Sequence, residues 1–201
     1  MKIPTLFKNI VFHIGTMQPQ NKKLESFEGG GLSVSTEPSA WEKIAQLGGL
    51  PWWELTKPTG QFLNALKIST LLQEQIQEWG VEQHYLEISP LYRVTWWDDE
   101  WGTDFSQLFL SPVEAALEAK YYDTEVQEEL GFISTPLLEV RTGVKCSLSE
   151  VGDHLLTIWA EEETDLDGIW WNEKLDVSFL SAPRGVILPT KLKEWKVELF
   201  R

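Results

Sequence analysis

The residues best suited to chemistry in this sequence are carboxylates that follow paired tryptophans. Glu173 lies two positions after the pair Trp170-Trp171, and an acidic run at 98–100 follows another tryptophan pair. A carboxylate beside indole rings loses part of its solvation, which suits it to general acid or base chemistry. The acidic run lies close to a glycine, and such a run is also typical of a turn. We therefore assign the candidate catalytic role to Glu173.

Histidine and cysteine are few and scattered. His13, His84 and His154 show none of the short spacings of zinc or copper sites, and Cys146 is the single cysteine. We therefore predict no metal site and no disulfide bond within the chain. The first residues lack the apolar stretch of a signal peptide, and no apolar run is long enough to cross a membrane. We expect a cytoplasmic protein without membrane contact.

The charge balance of the chain is strongly acidic. Its 201 residues include 17 basic and 31 acidic side chains, a formal net charge of −14. Such a surface repels phosphate backbones, which disfavours general nucleic-acid binding through a basic face and leaves only a local basic pocket for a strand end. The same surface favours a basic protein partner.

Eleven tryptophans are present, and six of them form adjacent pairs at 52–53, 96–97 and 170–171. Adjacent side chains on a strand point to opposite faces. One tryptophan of each pair is therefore expected to enter the core, and the other to face solvent, a covering helix or a ligand.

The hydrophobic pattern predicts one α+β domain over residues 1–201, with a mixed or antiparallel twisted sheet and a few flanking helices. Three longer helices are expected. The first is capped by Ser35 or Thr36 and has Pro38 in its first turn, and the second spans about 61–79. The third opens with a capping box in which Ser111 is the N-cap and Glu114 is at N3. A loop is expected at 17–30, and one short helix near 175–180. Strands are predicted at 9–16, 31–34, 51–58, 91–97, 105–110 and 134–145, and strands or turns at 153–160, 167–175, 182–189 and 193–200.

The segment VFHIGT at 11–16, followed by a loop and by GLSVS at 31–35, resembles the opening of the ADP-ribosyltransferase superfamily. The resemblance implies an ADP-ribosyltransferase-like fold, with NAD as substrate. It places His13 and Thr16 at the ribose of NAD and Ser33 and Ser35 beside the nicotinamide. The closing GVILP at 185–189 is similar to the end of toxin-type members, which carry a late glutamate where this chain has Gly185.

A second resemblance is to the RES-type NAD-consuming domains. It rests on the segment LYRV, which contains Arg93, followed by LFLSPVEAALE with Glu114 and Glu118. In this comparison Arg93 binds the cofactor, since a guanidinium can clamp a phosphate. The two resemblances use different halves of the chain, and both stay open at this point.

Two functions of different classes follow. The first is an intracellular ADP-ribosyltransferase or NAD-hydrolysing protein of the toxin or defence type. Here Glu173 stabilises the developing positive charge, His13 orients the ribose, and Trp170 or Trp171 stacks on a ring. It requires the strands of His13 and Ser33 to lie in one sheet. The second is a non-catalytic acidic interaction protein, immunity- or antitoxin-like, that masks a basic partner surface.

Overall fold

The computed structural model describes residues 3–17, 30–143, 146–175 and 181–201. Over these residues the chain forms an α+β fold, as the sequence predicts, with five α-helices and three sheets. The helices are α1 (Pro38–Ile44), α2 (Thr70–Glu82), α3 (Pro112–Tyr121), α4 (Pro136–Thr142) and α5 (Val151–Glu163). The strands are β1 (Thr5–Phe7), β2 (Ile10–Ile14), β3 (Leu32–Val34), β4 (Trp52–Thr56), β5 (Gln61–Asn64), β6 (Leu86–Asp98), β7 (Thr103–Phe109), β8 (Val126–Ser134), β9 (Gly168–Asn172), β10 (Arg184–Ile187) and β11 (Lys196–Leu199).

The strands are divided among three open sheets instead of the one sheet predicted. The first has the order β1-β5-β9-β10-β3, in which β5 and β9 run parallel and the other neighbours antiparallel. The second is β11-β4-β2 and the third is β7-β6-β8, both antiparallel. A single bridge between Phe12 and Ser35 links β2 of the second sheet to the end of β3 in the first.

Two large apolar cores hold the first sheet in place. On one side α2 and α5 pack on it, with Leu72, Leu155 and Ile169 fully or almost fully buried. A second core, built around Phe62 and Trp170, joins the first sheet to the second. The third sheet has its own small core beneath α3, where Val94 meets Ala115 and Ala119 of that helix.

Several predicted elements differ from the structure. Residues 153–160, predicted as a strand or turn, lie in α5, where every residue from 154 to 160 is buried. Because a short apolar run fits a buried strand as well as a buried helix, periodicity alone does not separate them. The predicted strand at 134–145 is instead the end of β8 followed by α4, whose N-cap is Thr135. The predicted helix at 61–79 is β5, a 3-10 turn and α2, which begins after the N-cap Ser69.

Two further predictions fall largely outside the described residues, namely the loop at 17–30 and the short helix near 175–180. Within the part of the chain that the structure describes, no helix is long and apolar enough to cross a membrane.

The predicted cap of α3 is confirmed. Ser111 is the N-cap, Pro112 is the first helical residue, and the Ser111 hydroxyl accepts a hydrogen bond from the amide of Glu114 at 3.4 Å. This contact satisfies one of the backbone donors that a helix start leaves without a partner.

Ser111→Ala should therefore lower the free energy of unfolding by about 0.5–2 kcal/mol. The measurement is urea denaturation followed by circular dichroism. Ser39→Ala, an exposed position inside α1, is the control and should change stability by no more than about 0.5 kcal/mol. Equal stabilities of the wild type and Ser111→Ala would contradict a stabilising cap at this helix.

Candidate functional site

His13 is held between backbone carbonyl groups. Its Nδ1 lies 2.8 Å from the carbonyl oxygen of Ser33, and its Nε2 lies 3.0 Å from that of Thr16. Burial lowers the pKa of His13, and these two backbone contacts oppose that effect. While both contacts hold, neither ring nitrogen is open to a ribose hydroxyl. The ring instead ties the end of β2 to β3.

The prediction that His13 and Ser33 share a sheet is wrong. His13 lies on β2 in the second sheet, and Ser33 lies on β3 in the first. The two strands are neighbours through the paired backbone groups of Phe12 and Ser35, with N···O distances of 2.8 and 2.9 Å. Ser35 is fully buried, and its hydroxyl donates to the carbonyl of Pro183. Its side chain therefore joins β3 to the segment before β10.

The tryptophan pairs divide between two faces, as predicted. On β9, Trp170 is fully buried and meets Phe62 edge-on, with ring centroids 5.5 Å apart. Trp171 is half-buried on the other face and lines a cleft between α2 and α5. On β6, Trp97 is 58 % exposed. A ligand can therefore meet Trp171 without rearrangement of the core, whereas it cannot stack on Trp170.

Glu173 and Arg93 are engaged in ion pairs in different parts of the molecule. Glu173 follows β9, is about half exposed, and pairs with Lys8 at 2.9 Å. Arg93 lies on β6 of the third sheet and binds Glu129 through two hydrogen bonds of 3.0 and 2.6 Å. These bonds raise the pKa of Arg93 and lower that of Glu129.

The predicted site residues thus form three groups. His13, Thr16 and Ser33 lie in direct contact, with Ser35 one bridge away; Trp170, Trp171 and Glu173 lie on or just after β9; Arg93 lies in another sheet.

A row of apolar side chains, most of them exposed, lies on α3 and on the neighbouring strands of the third sheet. Phe105, Trp96, Tyr122 and Tyr121 contact one another in sequence, with ring centroids 6.2, 4.3 and 4.8 Å apart. Val113, Leu117 and Tyr121 follow at four-residue spacing, so they lie on one face of α3. Their exposed fractions are 68, 66 and 79 %. We call these six residues the α3 face.

The α3 face lies in a strongly acidic part of the chain. Residues 95–128 contain nine acidic side chains and one basic side chain, Lys120, which is −8 of the net charge of −14. Loss of solvation raises the pKa of Tyr122, and the charges of Glu118, Tyr121 and Asp98 raise it further. Carboxylates from both α3 and β6 therefore raise the pKa of a tyrosine in the aromatic row.

Sequence analysis did not single out the α3 face. The signal that could have found it is the four-residue repeat of Val113, Leu117 and Tyr121, which is opposed on the helix by the smaller Ala115 and Ala119. Larger apolar residues are normally the ones that enter a core, so the repeat would have been taken for the buried face.

Comparison of this chain with protein-family models, with curated proteins and with solved structures found no match. The argument for function therefore rests on the chemistry of the chain's own surfaces.

Proposed function

We propose that this protein is a non-catalytic interaction protein that uses the α3 face to cover a basic surface of a partner protein. The observation that carries the proposal is the row of six apolar side chains, five of them exposed and Trp96 half-buried, inside a strongly acidic stretch of the chain. Exposed apolar side chains occur singly on most proteins, whereas a contiguous patch marks a binding surface.

The residue types on this face suit a protein interface. Tyrosine and tryptophan are enriched among the residues that contribute most binding energy, because each buries a large area and loses few rotamers. Tyr121 is 79 % exposed and Leu117 66 % exposed, so both have apolar area that a partner can cover. Trp96 and Tyr122 stack with rings nearly parallel, at 8°, which joins the end of α3 to β6.

Charge selects the class of partner. A second copy of this chain would bring like charges together around the α3 face, and a nucleic acid would be repelled in the same way. A protein surface with apolar residues surrounded by lysine and arginine complements both the aromatic row and its carboxylates. Long-range attraction also accelerates the encounter with such a partner.

The NAD-cleaving function has weaker support from the geometry. It requires a ribose to meet His13, a ring to stack on Trp170 or Trp171, and an ionised carboxylate at Glu173. The backbone contacts of His13 and the burial of Trp170 work against it, and Glu173 is engaged in an ion pair with Lys8.

The test uses a fluorescent amphipathic peptide of about 18 leucine and lysine residues, with leucines at every third and fourth position, as a defined basic probe. Leu117→Glu places a charge in the centre of the α3 face. We expect it to weaken binding by at least about fivefold, because a charge replaces a central apolar contact. The measurement is fluorescence anisotropy at low ionic strength, repeated as the salt concentration rises.

Val140→Glu is the matched control, since Val140 is also exposed (80 %) but lies on α4. It adds the same charge, and peptide binding should be unchanged or slightly stronger. Wild-type binding should weaken between about 50 and 300 mM salt, because screening reduces attraction between exposed charges. Equal affinities for Leu117→Glu and Val140→Glu would contradict the proposal.

A further inference from the structure

A cleft with a volume of about 380 Å³ lies between α2, α5 and the end of β9. It is remote in sequence from the α3 face, and the proposed interaction function makes no use of it. Pockets for small ligands typically begin at about 300 Å³ and combine apolar walls with a few polar groups. The residues that line this cleft are Ala65, Leu66, Ile68, Gln73, Ile76, Gln77, Gly152, Asp153, Leu155, Leu156 and Trp171.

The floor of the cleft is apolar and rigid. Ile76, Leu155 and Leu156 are at most 7 % exposed and belong to the core beneath the first sheet. Trp171 packs against the same core and presents its indole to the cleft. Such a floor accepts an aromatic or aliphatic body, because burial of apolar surface is favourable without any directional requirement.

The polar groups of the cleft are two amides and one carboxylate. Gln73 and Gln77 come from α2, and Asp153 comes from the first turn of α5. Among the described residues, the Asp153 carboxylate receives no hydrogen bond, and no lysine, arginine or histidine lines the cleft. A carboxylate and an indole in one cleft are the pair of groups that attracts an organic ammonium ion, by charge and by cation–π contact.

The electrostatic environment of Asp153 fits an incoming cation. Burial raises the pKa of Asp153, while the positive charge of Arg184 lowers it and the negative charge of Glu150 raises it. Burial therefore disfavours the charged form of Asp153, and a cation placed beside the carboxylate would stabilise that charged form. The acidic balance of the whole chain also attracts cations to the surface.

We infer that this cleft binds a small organic cation, in which an ammonium group meets Asp153 and an apolar or aromatic body lies on Trp171, Leu155 and Leu156. The inference is independent of the interaction function, since the cleft and the α3 face share no residue.

Phenethylamine is the probe for this site. It is titrated into isotope-labelled protein, and the indole N–H signal of Trp171, assigned by its disappearance in Trp171→Phe, is followed by NMR. The indole nitrogen of Trp171 is buried without a hydrogen-bond partner among the described residues, so its signal should respond to a ligand beside the ring. We expect a dissociation constant at or below about 1 mM, which is reasonable for a ligand of this size.

Two matched probes separate charge from apolar contact. Phenethyl alcohol has a similar body without the charge and should bind at least about tenfold more weakly, and phenylpropionate should not bind. Asp153→Asn should reduce the affinity for phenethylamine by at least about tenfold. Asp165→Asn removes the same charge from an exposed carboxylate elsewhere and should leave the affinity unchanged.

Gly152→Leu tests the position of the ligand independently of charge. Gly152 lines the cleft, and a β-carbon there would meet no atom within 4 Å, so a leucine at this position is expected to narrow the cleft without a clash at its β-carbon. We expect this variant to fold, as judged by circular dichroism, and to lose binding of both phenethylamine and phenethyl alcohol. No response of the Trp171 signal up to about 10 mM phenethylamine, or undiminished binding by Asp153→Asn or Gly152→Leu, would overturn the inference.

Discussion

Gly185→Glu should destabilise the protein by more than about 4 kcal/mol, because it adds volume to a packed core and buries a carboxylate. Gly185 is buried on β10, opposite Trp170 on β9. A β-carbon at this position would overlap Cε3 of the Trp170 ring and would lie 2.5 Å from the carbonyl oxygen of Ile169. Neither the ring nor the backbone oxygen can move without disturbing the strand pair. The measurement is urea denaturation followed by circular dichroism.

Gly48→Glu is the control for this substitution. Gly48 is exposed after α1, and a β-carbon there would meet nothing within 4 Å. The same change of residue should therefore alter stability by no more than about 0.5 kcal/mol. If Gly185→Glu were as stable as Gly48→Glu, the Trp170 ring would not occupy the space beside β10.

The expected result also bears on the resemblance to ADP-ribosyltransferases. That resemblance implies a glutamate at the position of Gly185, and in this chain the Trp170 ring fills the space that such a side chain needs. The glycine is thus explained by packing. A search for NAD cleavage should consequently concentrate on Glu173, the alternative carboxylate, with Glu173→Gln as the variant.

The local elements of the fold could be predicted from the sequence because their signals are local. The apolar pattern predicts β2, β4 and the second half of β6, at 91–97, and the serine, proline and glutamate at 111–114 predict the start of α3. The faces of the tryptophan pairs follow from strand geometry alone. These predictions use only neighbouring residues, and the structure agrees with them. The predicted cap of α1 by Ser35 or Thr36 is wrong, because Glu37 is the N-cap and its side chain makes no capping hydrogen bond.

Elements buried on all sides could not be predicted in this way. α5 lies between the first sheet and two other helices, so every residue from 154 to 160 is buried and this run has no exposed polar face. Its apolar run is shorter than most helices and longer than many strands. Tertiary packing decides between the two, and that information lies elsewhere in the chain.

The candidate surfaces could not be predicted for a related reason. On α3 the small side chains of Ala115 and Ala119 face inward, which allows the helix to approach the sheet closely and leaves the larger Leu117 outside. The cleft combines Gln77 from α2 with Asp153 from α5, residues about 75 positions apart. A pattern of neighbouring residues in the sequence cannot predict that two such distant residues lie in one cleft.

A charged group that sequence analysis did not identify joins the first two sheets. The Lys57 ammonium, after β4, lies 2.6 Å from Asp167 and 2.7 Å from Glu194. Asp167 is 3 % exposed and also accepts a hydrogen bond of 2.8 Å from the amide of Gln61 on β5. The backbone amide of Asp167 in turn donates to the carbonyl of Gln61, and its carbonyl accepts from Leu188. Lys57 therefore neutralises a buried carboxylate at the junction of the sheets.

Lys57 and Glu194 together determine how the stability contributed by these ion pairs varies with pH. Burial alone would lower the pKa of Lys57, but the hydrogen bonds and charges of Asp167 and Glu194 outweigh burial and raise it above 10.5. The stability that Lys57 adds is therefore present below pH 10.5 and is lost as the pH rises through the folded-state pKa of Lys57. The hydrogen bond from Lys57 lowers the pKa of Glu194 below 4.5. The stability that Glu194 adds is present above that value and is lost as the pH falls through its folded-state pKa.

Lys57→Met should lower the free energy of unfolding by about 3 kcal/mol at neutral pH, because it keeps the apolar stem but leaves the buried Asp167 carboxylate without its cation. The difference in the free energy of unfolding between the variant and the wild type should stay nearly constant between about pH 5 and pH 10. It should become smaller in acid, because Glu194 becomes protonated there. The measurement is urea denaturation at several pH values. Lys196→Met, which breaks an exposed pair with Glu198, is the control and should cost less than about 1 kcal/mol. Equal losses for the two variants would mean that Lys57 does not stabilise the junction of the sheets.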